Sequence, residues 1–473
     1  MDSSDHAPSP QASLRLYRFG LVGLIVACGW LYVQSPLKDP LLIGSGIGIV
    51  VLGAWPMLEW ARHSRPWFPA FEIFMLTTIN YYALPLLAGH PAVLAFSDAA
   101  TWKAATGVLV LQTTAVAGFG LNRWRPIARS WLTEPLLADR LLRHAQTGLC
   151  LNTLYLVLAN FTDLLVGPFE GTYRAIFFGI GIVCMFIQFR RWGAGGLANA
   201  NKTIAAANLT AQIILLFSGL YLVQGMSLFI LAMIGYVTAS RRVPIVVIIV
   251  AVGVTAVLHN GKSSMRALYW ENNQPALRLT ELPAFFAQWI RLGLASTHEE
   301  ANKNRTLTAN LVERASLFQM LCLVVDRVPE HDPYLYGQSY IDIPAVLIPR
   351  FLWPGKPSSL EANVRLALYF GLVDEDTATK VSIGFGQPAE AYVNFGLIGL
   401  ALLGTAMGVG YRFVCTLSIG ASQLSTIGVF VILLTAWSFQ AEMVAATWIS
   451  SLFQAAMAVA GIPLGFRILF GSA

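Results

Sequence analysis

The sequence predicts an all-α, polytopic integral membrane protein with about twelve transmembrane helices and one large extracytoplasmic loop. Three observations carry this. The chain is 56% hydrophobic and only 12% charged, with a mean hydropathy of +0.61. Apolar stretches near the length needed to cross roughly 30 Å of hydrocarbon recur along it. Runs such as residues 243–258 do not alternate inside and outside, as the strands of a barrel would. Helices, which satisfy every backbone polar group internally, are the remaining solution.

Taken in order, residues 1–13 include Ser3, Ser4, Pro8, Ser9 and Pro10 and read as a disordered tail, with no cleavable signal peptide before the first span. Spans are predicted near 15–33, 40–59, 68–88, 104–121, 147–166, 173–189, 204–219, 221–239, 243–259, 391–411, 424–440 and 446–466. Only Ser218-Gly219 separates the two spans within 204–239. Residues 14–260 thus form a bundle of about nine helices, and 391–473 a bundle of about three. Between them lies a large loop, 261–390, with short helices. No internal repeat is visible.

Orientation follows from the basic residues. One set of connections carries Arg15, Arg18, Arg62, Arg65, Arg123, Arg125, Arg129, Arg140, Arg143, Arg190, Arg191, Lys202, Arg241, Arg242, Arg412 and Arg467. The opposite short connections carry Lys38, Lys103 and Arg174, a bias of 16 against 3. By the positive-inside rule both termini face the cytoplasm and loop 261–390 faces outward. The net charge of +6 then reflects anchoring at anionic lipid and not nucleic-acid binding.

Cys28, Cys150, Cys184, Cys322 and Cys415 are scattered and show neither CxxC nor metal-ligand spacing. No Walker A or Rossmann glycine pattern occurs, and Gly193-Ala194-Gly195-Gly196 lacks the strand and helix that a phosphate loop needs. No cofactor or metal is expected. A reaction on the outer face must carry its energy in its own substrate.

The outer loop concentrates the polar chemistry. Its 130 residues hold 12 of the 31 Lys+Arg and 14 of the 25 Asp+Glu. Cations close to apolar spans can hold the phosphate of a lipid-linked substrate, Arg through a planar fork and Lys as a point charge. The candidates are Lys262, Arg266, Arg314, Arg350 and Lys356. The last two lie in Ile348-Pro349-Arg350-Phe351-Leu352-Trp353-Pro354-Gly355-Lys356-Pro357, whose prolines predict a stiff, extended presentation. Trp353 there can stack on a sugar ring or anchor the membrane–water boundary. A purely structural interfacial turn, with Arg350 snorkelling, is the competing reading of this stretch.

Residues 306–326 are helical in pattern, placing Arg314 among Leu307, Leu311, Leu317 and Phe318. Arg314 either pairs with Glu313 or Asp326 or reaches substrate. Asp326, Asp342 and Glu390 are candidate general bases on the outer face. Glu390 stands where the loop re-enters the membrane, in Gln387-Pro388-Ala389-Glu390-Ala391-Tyr392-Val393-Asn394-Phe395-Gly396. Glu390, Tyr392 and Asn394 cannot share one helical face, so an extended or kinked stretch is expected there. An ion pair with Arg350 or Lys356 is the alternative role for Glu390. His259 reads as a proton carrier or as a side chain simply bonded in place. Asp374-Glu375-Asp376 reads as a solvated run.

The Pro-Arg…Trp-Pro…Lys-Pro stretch, followed by Glu390-Ala391-Tyr392-Val393-Asn394-Phe395-Gly396 opening a hydrophobic helix, resembles the oligosaccharide repeat-unit polymerases, the Wzy-type enzymes of O-antigen and exopolysaccharide synthesis. The similarity spans about 262–400. It implies a GT-C-like bundle in the bacterial inner membrane and a metal-independent transferase working at the periplasmic face. The substrates it implies are undecaprenyl-diphosphate-linked glycans. On this resemblance Arg350 and Lys356 meet the donor diphosphate and Glu390 is the base. Arg314, Arg266, Lys262, Trp353, Tyr392 and Asn394 contribute to substrate binding. A chain-length regulator is the partner it implies. Three rivals stay open: an O-antigen ligase-like transferase; a flippase, whose class commonly shows repeats and broken helices; and a non-catalytic scaffold of an envelope assembly.

Overall fold

The computed structural model describes the chain apart from residues 1–9, 64, 66, 122–129, 134–137, 166–168, 241, 272–276, 302–315, 349–351, 376–382, 422–424 and 462–473. Among the described residues the elements are helices and turns, with no β-strand. Each of the twelve predicted ranges overlaps helical chain, and among the described residues eight helices are long and apolar enough to cross a membrane. Contacts divide the chain into two units, one of residues 1–135 and 315–453, the other of 136–314 and 454–473.

The first unit holds Pro10–Gln34, Pro40–Arg62, Ala70–Leu87, Asp98–Leu121, Gly386–Leu417 and Thr426–Trp437, together with the short helices Phe318–Arg327, Ile343–Leu347 and Glu361–Tyr369. Local signals start and stop these elements. Asp39 caps Leu41 N–H ahead of Pro40, and Ser425 caps Gly428 N–H. Gly89, at φ +63, ends Ala70–Leu87. That span also contains a π turn, Ile79–Ala83, around which the Tyr81 carbonyl is free to accept from Leu317 N–H at 3.1 Å.

In lipid, apolar area does not draw helices together, so close packing of small residues does. A Cβ on Gly404 would stand 2.2 Å from the Leu111 carbonyl oxygen, and one on Gly408 would stand 2.1 Å from that of Ala115. These glycines let Gly386–Leu417 lie against Asp98–Leu121. Gly404→Leu is therefore expected to force the two helices apart, at about 1–3 kcal/mol or more. Gly410→Leu, with open space around it, is expected to be neutral. Unfolding midpoints of the two variants in detergent check this.

The second unit comprises Ala138–Phe161, Glu170–Gly193, Asn199–Phe217, Leu222–Ser240, Ile245–Arg266 and Leu282–Ala301. Amides stitch two of these together: Asn152 Nδ2 donates to Gln212 Oε1 at 3.0 Å, and Gln212 Nε2 to Thr153 Oγ1 at 3.0 Å. Thr153 Oγ1 donates in turn to Asn208 Oδ1 at 2.7 Å. Leu282–Ala301 departs from the expectation of short helices in the loop, for it runs 20 residues. Close backbone approach explains its stability: a Cβ on Gly293 would lie 2.0 Å from the Val257 carbonyl oxygen. The buried Trp289 indole donates to the Leu258 carbonyl at 2.6 Å.

Candidate active site

The re-entry segment is helical from its first turn. Gly386 sits at φ 74, where a Cβ would meet the Ala441 carbonyl oxygen at 2.9 Å, and its N–H donates to the Glu442 carbonyl. Pro388 falls in the first turn, where its missing N–H costs nothing. The expected irregularity comes at Gly396, with φ 60 and ψ −144, just past the polar run. The Tyr334 ring packs at this kink; a Cβ on Gly396 would meet the Tyr334 hydroxyl at 2.8 Å.

Before that kink, Glu390 and Asn394 stand one turn apart on one face, as i and i+4 neighbours do. Tyr392 points elsewhere, into the fields of Lys103, Tyr334 and Glu330. Glu390 is 0% exposed. Its Oε2 accepts from Ala445 N–H at 2.6 Å, at the start of the helix Ala445–Ala456, where the helix dipole favours negative charge. The Ser339 hydroxyl also bonds to this carboxylate, and Oε1 is buried with no further partner.

Asn394, also 0% exposed, uses both ends of its amide. Nδ2 donates to the Glu390 carbonyl at 2.7 Å and to Ser339 Oγ at 2.8 Å, while Oδ1 accepts from Gly337 N–H at 2.7 Å. Leu335 N–H adds a bond to the Val393 carbonyl. The turn 335–340, with left-handed Tyr336 and Gly337, is thereby pinned across the acid. Burial first, and the negative field of Glu390 second, push the Tyr340 hydroxyl above its usual range, against a bond to Asn394. Ser339, Tyr340 and Ala445 N–H are the neighbours of Glu390 that sequence reasoning did not find, because nothing local marks them.

An apolar pocket of about 40 Å³ opens at the first turn of this helix, and Glu390 is not among the residues that line it. Gln387 and Pro388 line it together with Tyr81, Tyr82, Trp437 and Trp448. The Tyr81 and Thr77 hydroxyls on its wall are bonded to the backbone carbonyls of Phe439 and Phe74. The wall therefore suits hydrocarbon better than a sugar.

The other candidates are placed variously. Lys356 is buried, and its Nζ donates to the Val346 and Ile348 carbonyls at 2.7 and 2.5 Å, satisfying the end of Ile343–Leu347. It turns inward where an exposed cation was expected. Trp353 is exposed. Asp342 pairs with Arg365 at 3.0 Å, and Arg327 with Asp332 at 2.6 Å; neither arginine stood out in the sequence. Lys262 and Arg266 belong to the second unit, where Arg266 donates to the carbonyl of left-handed Leu220 at 3.1 Å and stacks over Tyr221. Arg314 and Arg350 lie outside the described residues, and so does 306–315 of the predicted helix 306–326; the rest of it largely forms the helix Phe318–Arg327. Among the described residues no three His, Cys, Asp or Glu side chains gather as metal ligands.

A family model described as a domain of unknown function, DUF8712, matches residues 198–441, just over half of the chain. No curated protein and no solved structure matches it.

Proposed function

The chain belongs to the DUF8712 family, whose function is unknown, and from that premise we propose that it is a membrane glycosyltransferase that polymerises lipid-diphosphate-linked oligosaccharide repeats. On this reading it spans a bacterial inner membrane about twelve times in a GT-C-like bundle, with both termini in the cytoplasm and the site at the periplasmic face. The observation that carries the proposal is Glu390: a wholly buried carboxyl on a helix whose first turn, at Gln387 and Pro388, lines an apolar pocket among apolar helices. A soluble substrate has no use for such a wall, whereas a lipid-linked one does.

The hydroxyl oxygen of an incoming repeat attacks the anomeric carbon of the growing glycan. The bond from that carbon to the lipid diphosphate breaks, and its electron pair leaves with the diphosphate. Glu390 takes the hydroxyl proton on Oε1 and later passes it to water. For the hydroxyl to arrive, the turn 335–340 must yield. Charge developing on the leaving diphosphate is the larger demand, and we assign it to Arg350. Lys356, spent on the carbonyls of Val346 and Ile348, is not a diphosphate ligand on this reading, and Trp353 offers a face to a sugar ring.

A second reading, a flippase for the same lipid-linked glycan, is favoured by one observation, the helix broken at Gly396 next to buried polar groups. Extraction of lipid-linked oligosaccharides from a strain lacking the protein, complemented with wild type or Arg350→Ala, separates the two. The transferase reading expects single repeats to accumulate, exposed on the periplasmic side, with Arg350→Ala as with no protein. Single repeats confined to the cytoplasmic side support the flippase. Long lipid-linked polymer in the strain lacking the protein overturns the polymerase.

A further inference from the structure

The outer segment around residues 336–360 has its polarity turned inside out. Its charged groups among the described residues face inward. Asp342 is bound by Arg365, whose other nitrogen donates to the Gln338 carbonyl at 2.7 Å. Lys356 is buried on the Val346 and Ile348 carbonyls. What faces out is mainly apolar, with Gln338 and Ser358 the exposed polar side chains among it: Tyr336 is 75% exposed, Ile341 71% and Leu352 67%, and Ile348, Trp353 and Leu360 are also exposed.

A segment bathed in water would be expected to show the reverse, since burying charge is costly and exposed apolar clusters mark interaction sites. The apolar face is also continuous with a lipid-facing one. Gly337 stands against the Phe395 ring, and Phe395 is half exposed one turn before Ile398, which is 70% exposed on the span Gly386–Leu417.

We propose that the described parts of this segment, 336–348 and 352–360, lie in the headgroup–acyl boundary of the outer leaflet, with Tyr336, Ile341 and Leu352 in contact with lipid and Trp353 at the headgroup edge. It is an interfacial element attached to a spanning bundle, held by apolar area with tyrosine and tryptophan at the boundary. The proposal does not depend on the transferase reading. The occupant is lipid rather than a protein partner because the patch extends a surface that lipid already covers. Its consequence is positional: the stretch on either side of Arg350 is set at headgroup level.

Thiol labelling of the full-length protein in liposomes tests this. In a background with Cys28 and Cys150 replaced by alanine, Ile341→Cys, Leu352→Cys and Glu330→Cys are each treated with a membrane-impermeant maleimide. Glu330, an exposed acid paired with Lys103, supplies the water-facing reference in the same unit. Ile341→Cys and Leu352→Cys are expected to react at least tenfold more slowly than Glu330→Cys in liposomes, and to catch up in detergent. Nitroxides on the two cysteines are expected to meet oxygen more often than a water-soluble nickel complex. Labelling in liposomes at the Glu330→Cys rate overturns the proposal. Protection that persists in detergent also overturns it, because a protein surface, a second copy included, then covers the face.

Discussion

Glu390→Gln is expected to lower polymer formation by about 10²–10⁴-fold, the range lost with a general base, while the protein inserts and folds as before. The substitution keeps the shape of the side chain, and the amide oxygen can still accept from Ala445 N–H, which Glu390 Oε2 meets at 2.6 Å. What the amide cannot do is take up a proton. It also removes an ionisable group from a site with no exposure, which relieves desolvation, so thermal stability should hold or rise. Glu390→Ala, in contrast, leaves the Ala445 N–H unpaired beside a void and should lose stability as well as activity. Polymerisation by purified protein on lipid-linked repeats, measured beside unfolding midpoints, checks both. A stable Glu390→Gln protein as active as its parent takes Glu390 out of the reaction.

The membrane-embedded helical bundle was legible because a bilayer imposes its length and apolarity on each helix separately. Two helices show where that legibility thins. Ala138–Phe161 and Asn199–Phe217 coincide with predicted spans but are not among the eight apolar enough to cross by hydropathy alone. Their amides Asn152, Asn208 and Gln212 depress hydropathy when read singly, yet in the fold they bond across to each other and to Thr153. Hydropathy charges each polar group as if it met lipid, whereas a network between helices cancels much of that cost. The helix Leu282–Ala301 was missed for a related reason: a glycine contact and one buried indole sustain it, and neither has a periodicity to read.

The site divided along the same line. That Glu390, Tyr392 and Asn394 would not share a face followed from helical spacing alone, and Glu390 with Asn394 proved to be the pair. The partners of Glu390 come from chain about 50 residues away on either side, Ser339 before it and Ala445 after it, and only tertiary structure brings these together. Lys356 shows the limit most plainly. Beside Pro354 and Pro357 it reads as a cation on display, but the carbonyls ending a five-residue helix claim it.

Asn394 decides whether the clamp over the acid is part of the chemistry. Asn394→Leu leaves the Gly337 N–H, the Ser339 hydroxyl and the Glu390 carbonyl without its amide. At about 1–3 kcal/mol for each buried group left unpaired, the turn 335–340 should come loose, strained as it is by left-handed Tyr336. Hydrogen exchange should rise in that turn and the unfolding midpoint should fall. Asn394→Asp keeps the acceptor for Gly337 but loses both donations and sets a second acid one turn from Glu390. In so buried a place two carboxylates cannot both ionise readily, so one of them holds a proton. The kinetic outcome separates two roles. If Asn394 binds the glycan, as the resemblance implies, Asn394→Asp raises KM and largely keeps kcat. The geometry predicts the opposite: every described bond of Asn394 is made to the protein itself, so it positions Glu390 and the turn. Asn394→Asp should then lower kcat with KM little changed and shift the pH profile of kcat.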